Sequence, residues 1–250
     1  MLKNRIIPCL LIENNKLVKT EKFKNTKYVG DYLNAIKIFN EKEVDELIVL
    51  DISATRNKQG PNLKIIEKFS SECFMPVAYG GGISSLEHAK KIFKLGIEKI
   101  CIQSAALDNP NLVKDLSNYF GAQSIILSLD IKKNIFGKYK IFRSDKKKLL
   151  RDDWKEMLKK FVNIGVGEIL LNSVDNDGIM KGMDLKLINE ASKILDIPLI
   201  SMGGVGKIED IKKAIDVGTD AVAAGSYFVF YGSHKAVLIS YPKNKLLTEL

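Results

Sequence analysis

The sequence predicts a (β/α)8 TIM barrel built from two similar half-barrels. Short apolar runs rich in β-branched residues alternate with longer segments of helical periodicity, a pattern typical of a parallel sheet covered by helices. In addition, residues 166–226 align with residues 44–104 without a gap, and this alignment places Gly203 on Gly81. Because a repeat of this length spans a whole structural half, we expect one closed barrel domain over residues 1–250.

The chain length agrees with this class, because 250 residues is a common length for such barrels. Eight short runs are the predicted strands: residues 5–12, 46–52, 77–79, 99–102, 124–130, 168–172, 199–202 and 221–224. Seven amphipathic segments are the predicted helices: residues 33–41, 63–71, 86–95, 111–119, 154–164, 185–195 and 208–217. In a barrel of this kind, the functional side chains follow the carboxyl ends of the strands.

The composition of the chain restricts the classes of partner that it can bind. The apolar share of 46% is enough for a full core, yet no run reaches the roughly 18–20 apolar residues of a membrane span. The net charge is +9, but only four of the 39 basic residues are arginines and the lysines are dispersed. Nucleic-acid-binding proteins cluster their charge and favour arginine. We therefore expect no membrane or nucleic-acid partner, and a field that attracts an anionic small substrate.

The three cysteines occupy unrelated positions, without the spacing of a disulfide framework or a metal site. We therefore expect a cytoplasmic protein without a metal or a cofactor. Histidine chemistry is not expected either. His88 lies within a predicted helix opposite its repeat mate Asp210, and we expect both to face solvent, while His234 has no partner at a useful spacing.

Small residues follow the third, fourth, seventh and eighth strands, where bare N–H groups and a helix start favour phosphate. Their mirrored placement indicates two phosphate sites on opposite sides of one face, and therefore a substrate phosphorylated at both ends. The alternative is that the glycines only form tight turns. The candidate substrate- and phosphate-binding residues are Lys19, Gly81, Gly82, Gln103, Ser104, Asp175, Gly203, Gly204, Gly225 and Ser226.

Carboxylates at the same rim are candidates for general acid–base catalysis. Asp130 closes the fifth predicted strand and is the principal catalytic candidate. Asp51 follows the second strand, and Asp175 and Asp177 follow the sixth. For Asp51 and Asp177, a helix cap or a loop brace is an equally good interpretation.

Four charged residues stand directly before apolar strands: Arg5, Glu46, Lys99 and Glu168. They precede the first, second, fourth and sixth strands, so we expect them to form a ring at the lower end of the barrel. Two positive and two negative side chains can neutralise one another there. Considered alone, such a ring is a polar plug made of ion pairs.

Together these motifs resemble the cyclase subunit of imidazole glycerol phosphate synthase, the HisF-like proteins, over nearly the whole chain. The matching stretches are residues 5–10, 45–47, 50–52, 80–83, 120–124, 167–171, 175–178 and 203–206. The resemblance implies a half-barrel duplication, a doubly phosphorylated substrate and ammonia supplied by a HisH-like glutaminase subunit docked at the barrel bottom. It also implies that the charged ring is the gate through which ammonia enters.

One difference from the family affects the expected catalytic residues. The resemblance implies two catalytic aspartates, ending strands one and five; Asp130 matches the second, but Leu11 stands at the first position. A leucine cannot transfer a proton, and loss of one member of such a pair costs orders of magnitude in rate. The related isomerase of the same pathway also needs that aspartate. A smaller departure is Gln103-Ser104, where the family usually has Asn-Thr.

We therefore expect a divergent HisF-like branch that accepts ammonia from a glutaminase and channels it toward amidation of a bacterial surface sugar, forming acetamidino groups. The stretch 9–11 and the tail 234–242 also resemble that branch. An ATP-dependent sugar amidotransferase would be the third component. Two alternatives stay open: the cyclase subunit of histidine biosynthesis, with another group replacing the missing aspartate, and a non-catalytic scaffold that docks a glutaminase.

Overall fold

Eight parallel strands close into a barrel in the computed structural model, which describes residues 4–232 and 234–242. Ring closure joins the fifth strand to the sixth and the eighth strand to the first. The predicted (β/α)8 barrel is confirmed. The barrel strands are Arg5–Glu13, Leu47–Asp51, Val77–Gly80, Lys99–Ile102, Ile125–Lys133, Glu168–Ser173, Leu199–Met202 and Ala221–Ala224.

All seven predicted helices surround the strands. The helices are Tyr32–Glu41, Leu63–Ser70, Leu86–Lys94, Ser104–Asp108, Pro110–Phe120, Trp154–Ile164, Leu185–Ser192, Ile208–Asp216 and Ser226–Val229, and a 3-10 turn spans Ala122–Ser124. Two of these were not predicted, the short helices that begin at Ser104 and at Ser226. Each directly follows a barrel strand, so its first N–H groups lie at the upper rim of the barrel.

Two hairpins above the upper rim were missed in the sequence. The strands Lys16–Glu21 and Lys24–Gly30 continue antiparallel from the first barrel strand. Another strand, Tyr139–Arg143, pairs antiparallel with the end of the fifth barrel strand and carries the two-residue strand Lys148–Leu149. Their lysine-rich and partly exposed sequences lack the apolar run that marks a strand buried on both faces.

The core has two layers because each barrel strand is buried on both of its faces. The outer layer lies between strands and helices and contains large side chains such as Phe39, Phe69 and Phe161. The inner layer fills the barrel with smaller groups, among them Ile48 and Ala78. Burial of one such aliphatic or aromatic side chain contributes about 1.5–3 kcal/mol. The two layers explain why the strands read as continuous apolar runs.

The duplication is visible in matched backbone contacts. A Cβ on Gly81 would lie 2.6 Å from the carbonyl oxygen of Asp51, and a Cβ on Gly203 would lie 2.7 Å from that of Ser173. Both glycines have positive φ angles, +133° and +102°. These turns therefore require glycine for close packing, as the tight-turn interpretation holds, whatever else their N–H groups do.

The expectation that His88 and Asp210 face solvent is wrong. Asp210 is buried, and its carboxylate accepts the backbone N–H groups of Gly206 and Lys207 at 2.9 and 3.2 Å. His88 is half-buried, with Nδ1 3.4 Å from the backbone nitrogen of Ser84, the repeat mate of Gly206. Both side chains cap the turn that precedes their own helix, which explains why they occupy equivalent positions.

The chain after the eighth strand leaves the usual alternation. The helix Ser226–Val229 is followed by the paired strands Phe230–Tyr231 and Ala236–Val237. The tail then packs Tyr241 against Phe228, with 5.3 Å between ring centroids. The hydroxyl of Tyr241 also contacts Ile6, so the tail lies beside the lower end of the first barrel strand. No helix in the described part of the chain is long and apolar enough to cross a membrane.

Candidate active site and charged ring

Asp130 lies in the upper mouth of the barrel, near the end of the fifth strand. Its side chain is buried, and Gln103 Nε2 donates a hydrogen bond to Oδ2 at 2.8 Å. The Nδ2 atom of Asn172 lies 3.5 Å from the other carboxylate oxygen. Burial raises the pKa of Asp130 to about 7, against the opposing effect of the Gln103 hydrogen bond. This carboxyl can therefore both accept and release a proton near neutral pH.

Lys19 and Asp177 form a second buried group in the same mouth. The hairpin strand Lys16–Glu21 carries Lys19 inward, where Nζ donates to the carbonyl oxygen of Cys9 at 2.5 Å. Burial lowers the pKa of Lys19, whereas nearby Asp177 acts to raise it. Burial raises the pKa of Asp177 to about 6, and Lys19 opposes that rise. A second carboxyl thus titrates close to neutrality.

Leu11 lies at the strand end where the resemblance implies an aspartate. Its side chain is buried in the inner apolar layer, and it pairs with Val18 of the first hairpin. The end of the first strand therefore contributes apolar surface to the mouth. The carboxyl of Asp177 interacts electrostatically with Asp130 and is the titratable group that the loop after the sixth strand brings into the mouth.

The residues of one of the two predicted phosphate sites line a small pocket that is open to solvent. Gly203, Gly204, Gly225 and Ser226 line it together, beside Asp177. The structure therefore brings these four predicted residues together. Backbone N–H groups and the start of the helix Ser226–Val229 face a space in which an anion is favoured.

The ammonium group of Lys19 lies beside Gly225, one of the residues that line this pocket. Its Nζ lies so close to Gly225 that a Cβ there would overlap it. A positive charge thus stands beside the glycine-rich rim, as a phosphate ligand requires.

The second predicted phosphate site is more closed. The backbone N–H of Gly82 donates to Thr55 Oγ1 at 3.3 Å, so a hydroxyl of the preceding loop already occupies that donor. A Cβ on Gly82 would also lie 2.7 Å from the carbonyl oxygen of Gln59. Ser104 begins a short helix after the fourth strand. The side chain of the preceding residue, Gln103, contacts Asp130.

Two other predicted residues at the upper rim accept hydrogen bonds from nearby backbone groups. Asp175 Oδ2 accepts the backbone N–H of Lys133 at 2.8 Å, so this carboxylate braces the end of the fifth strand. Asp175, predicted to bind substrate, thus holds a backbone group of the fifth strand, whereas Asp177 lines the pocket. Asp51 Oδ1 accepts the backbone N–H of Ser53 at 2.9 Å and acts as a loop brace.

Arg143 is a buried residue near the upper rim that no sequence motif indicated. Its guanidinium donates to Asp108 at 2.8 Å and to Asp145 at 2.7 Å. These bonds fasten the strand Tyr139–Arg143 to the helix that begins at Ser104. The same hydrogen bond from Arg143 holds the pKa of Asp108 well below its usual range. No motif spacing could have revealed the contact with Asp108, which lies 35 residues before Arg143 in the chain.

The four charged residues predicted at the lower end lie in mutual contact. Arg5 Nη1 is 2.6 Å from Glu46 Oε2 and 3.3 Å from Glu168 Oε1. Lys99 Nζ spans the same two carboxylates at 3.1 and 3.0 Å. Within the described residues, Glu168 Oε2 is buried without a hydrogen-bond partner. The ring therefore closes the lower end with alternating charges.

Comparison with known proteins gives the family. The model of the histidine biosynthesis protein family matches residues 5–235. A putative imidazole glycerol phosphate synthase subunit hisF2 of Pseudomonas aeruginosa is 49% identical over 98% of this chain and 99% of its own length. A putative subunit HisF of Leptospira interrogans is 46% identical over 98% and 97% of the two chains. The subunit HisF of Exiguobacterium sibiricum is 38% identical over 91% of each.

These relatives contradict the expectation of sugar amidation. They carry the name of imidazole glycerol phosphate synthase, which was the alternative, although Leu11 had argued against it. The similarity to these subunits extends over nearly the whole chain, whereas Leu11 is a single substituted position. By its family match and by these relatives, the chain belongs to the histidine biosynthesis protein family, among the HisF-like subunits of imidazole glycerol phosphate synthase.

Proposed function

We propose that this chain is the cyclase subunit of an imidazole glycerol phosphate synthase, acting on the doubly phosphorylated intermediate of histidine biosynthesis with ammonia from a glutaminase subunit. The observation that carries the proposal is the buried Asp130 carboxyl, whose pKa of about 7 suits proton transfer at neutral pH. It lies in the mouth of a barrel whose relatives bear that enzyme's name.

Asp130 serves as the principal acid–base group. At pH 7 a carboxyl with this pKa is ionised in about half of the molecules, so both protonation states are available. The amide of Gln103 fixes the carboxylate orientation and leaves its free lone pairs for the substrate. Because bulk water is largely excluded around this buried group, its electrostatic interactions with a developing charge are strong.

Asp177 supplies the second carboxyl in place of the residue missing at Leu11. Three features support this role: its burial, its pKa of about 6 and its electrostatic interaction with Asp130. Lys19 lies beside it and can stabilise the ionised form or contact a phosphate. Two carboxyls with different pKa values allow one to give a proton while the other accepts one.

The phosphates of the substrate bind at the two ends of the repeat. The pocket at Gly203, Gly204 and Ser226 takes one phosphate, with the ammonium group of Lys19 as its counter-charge. The other phosphate binds at Gly82, where it replaces Thr55 as the partner of the backbone N–H. The reacting centre of a substrate held at both ends then lies over the barrel axis, near Asp130.

Ammonia enters at the opposite end. The glutaminase subunit docks beneath the charged ring, and neutral ammonia passes when the ion pairs of Lys99 with Glu46 and Glu168 separate. Above the ring, the inner layer presents apolar groups such as Ile48 and Ala78, which offer no proton to convert ammonia into ammonium. The ring and the mouth thus form the two ends of one path.

A direct assay tests the proposal. The purified chain is supplied with the doubly phosphorylated histidine-pathway intermediate and an ammonium salt at pH 8, and formation of imidazole glycerol phosphate is measured. We expect turnover, and we expect Asp130→Asn to lower it at least about 100-fold. A folded wild-type chain without turnover would contradict the proposal and favour the scaffold interpretation.

A further inference from the structure

A tyrosine of the tail contacts the backbone directly beside two residues of the charged ring. Tyr241 Oη donates a hydrogen bond to the backbone carbonyl oxygen of Ile6 at 2.9 Å. The Tyr241 hydroxyl oxygen itself accepts a hydrogen bond from the backbone N–H of Asp45. Ile6 directly follows Arg5, and Asp45 directly precedes Glu46. One hydroxyl therefore joins the two backbone segments that carry an ion pair of the ring.

The position of this hydroxyl is fixed by the tail. The ring of Tyr241 is buried and lies 5.3 Å from the ring of Phe228, which in turn packs edge-on against Phe39 at 6.5 Å. Backbone bonds hold the tail as well, since the N–H of Ser240 donates to Phe228 and that of Leu238 to Val229, both at 2.9 Å. The phenol has little freedom to leave the two backbone groups.

We propose that Tyr241 is a positioning residue for the ring, and that through it the tail sets how well the entrance is closed. The inference rests on the proposed function, in which the ring is the ammonia entrance. By bridging the first strand and the segment that enters the second, the hydroxyl fixes the spacing at which Arg5 Nη1 and Glu46 Oε2 meet, 2.6 Å.

Loss of the hydroxyl has a defined consequence. The carbonyl of Ile6 and the N–H of Asp45 would lose a shared partner in a buried place, and buried polar groups seek replacement partners. The two segments then adjust, and the Arg5–Glu46 pair no longer seals one side of the ring. Since Lys99 also contacts Glu46, the adjustment reaches the neighbouring ion pair. Ammonia then escapes from the path between the two subunits.

The experiment uses the complex reconstituted with the glutaminase subunit of the same organism. Tyr241→Phe removes the hydroxyl and keeps the ring that packs on Phe228. We measure imidazole glycerol phosphate formed per glutamine hydrolysed, and separately the turnover with saturating ammonium salt. We expect product per glutamine to fall at least threefold while ammonia-driven turnover stays within twofold of wild type. An unchanged ratio would overturn the inference.

Two variants separate the hydroxyl from general loosening of the tail. Tyr231→Phe removes a hydroxyl from an exposed position in the same tail and is expected to leave the ratio unchanged. Phe228→Leu loosens the packing but keeps the Tyr241 hydroxyl. If it lowers product per glutamine as much as Tyr241→Phe, tail packing alone explains the effect and the specific role of the hydroxyl fails.

Lys99→Met distinguishes this inference from the proposed function. If product per glutamine falls in Lys99→Met but not in Tyr241→Phe, the inference fails and the proposed function stands. No uncoupling in either variant defeats the ammonia entrance, and the crystal structure of Tyr241→Phe then decides the inference. A displaced Arg5–Glu46 pair would support the positioning role, and an unmoved pair would overturn it.

Discussion

The amide of Gln103 donates its hydrogen bond to the carboxylate of Asp130 at 2.8 Å, from the end of the fourth strand to the fifth. This bond favours the ionised form of a group whose burial favours the neutral form. The balance of the two effects sets the pH at which the carboxyl titrates. The same balance affects both the turnover and the stability of the protein as pH changes.

Gln103→Met is expected to move the acidic limb of the turnover profile to higher pH. The thioether fills similar space but donates no hydrogen bond, so the ionised carboxylate of Asp130 loses support and its pKa rises above about 7. Turnover should fall most at pH 6–7 and recover toward pH 9. The measurement is kcat with ammonia as a function of pH, and an unmoved midpoint would contradict this assignment.

Asp130→Asn is expected to stabilise the fold at alkaline pH. The folded pKa of about 7 exceeds the ordinary value of 3.8, so the folded state holds this proton more tightly than the unfolded state does. Stability from this group is therefore present at pH 4 and is lost as pH rises toward 7. Relative to wild type, the variant should gain on the order of 1–4 kcal/mol between pH 4 and pH 8.

Urea denaturation of both proteins at a series of pH values measures this gain. Asp216→Asn, which changes an exposed carboxyl on an outer helix, is the control and should follow wild type. Parallel stability curves for wild type and Asp130→Asn would show that the carboxyl carries no buried charge in the folded state.

Asp177→Asn is expected to lower ammonia-driven turnover by about 100-fold, because it removes the second proton-transferring group. Adding Leu11→Asp to that variant returns a carboxyl to the end of the first strand and should recover part of the lost rate. Substrate KM is measured alongside kcat, since loss confined to KM would assign Asp177 to binding instead. A fully active Asp177→Asn would remove it from the mechanism.

Gly203→Ala is expected to lower the free energy of unfolding by about 2–4 kcal/mol, since the added methyl meets the backbone of Ser173 and φ is +102°. The matched control is Gly96→Ala. Its φ is +88° but its Cβ meets nothing within 4 Å, so only the backbone strain of about 1 kcal/mol applies. Equal losses from chemical denaturation would show that the turn at Gly203 relaxes freely.

The barrel could be predicted from the sequence because each of its strands is buried on both faces and reads as a short apolar run. The hairpins escaped the same analysis, since strands such as Lys24–Gly30 are mostly exposed and carry no run of this kind. The pocket at Gly203 and Ser226 was predictable for a further reason. Both residues follow barrel strands directly, and the ends of parallel strands meet at one rim.

The arrangement of the catalytic groups was less predictable. Gln103 donates a hydrogen bond to Asp130, and this contact depends on the register between neighbouring strands. Asp175 and Asp177 differ by two positions, yet the loop turns one toward Lys133 and the other into the mouth. A loop conformation, which the sequence pattern does not specify, decides between them.

The pairing of the first strand with the eighth has a consequence for synthesis of the chain. Arg5 pairs in register with Ala221, so the barrel cannot close until residues 221–224 have been made. Until then the first and seventh strands are bare sheet edges, which are templates for aggregation. A ribosome that stalls before residue 221 therefore releases a chain whose barrel cannot close. We expect such a fragment to aggregate.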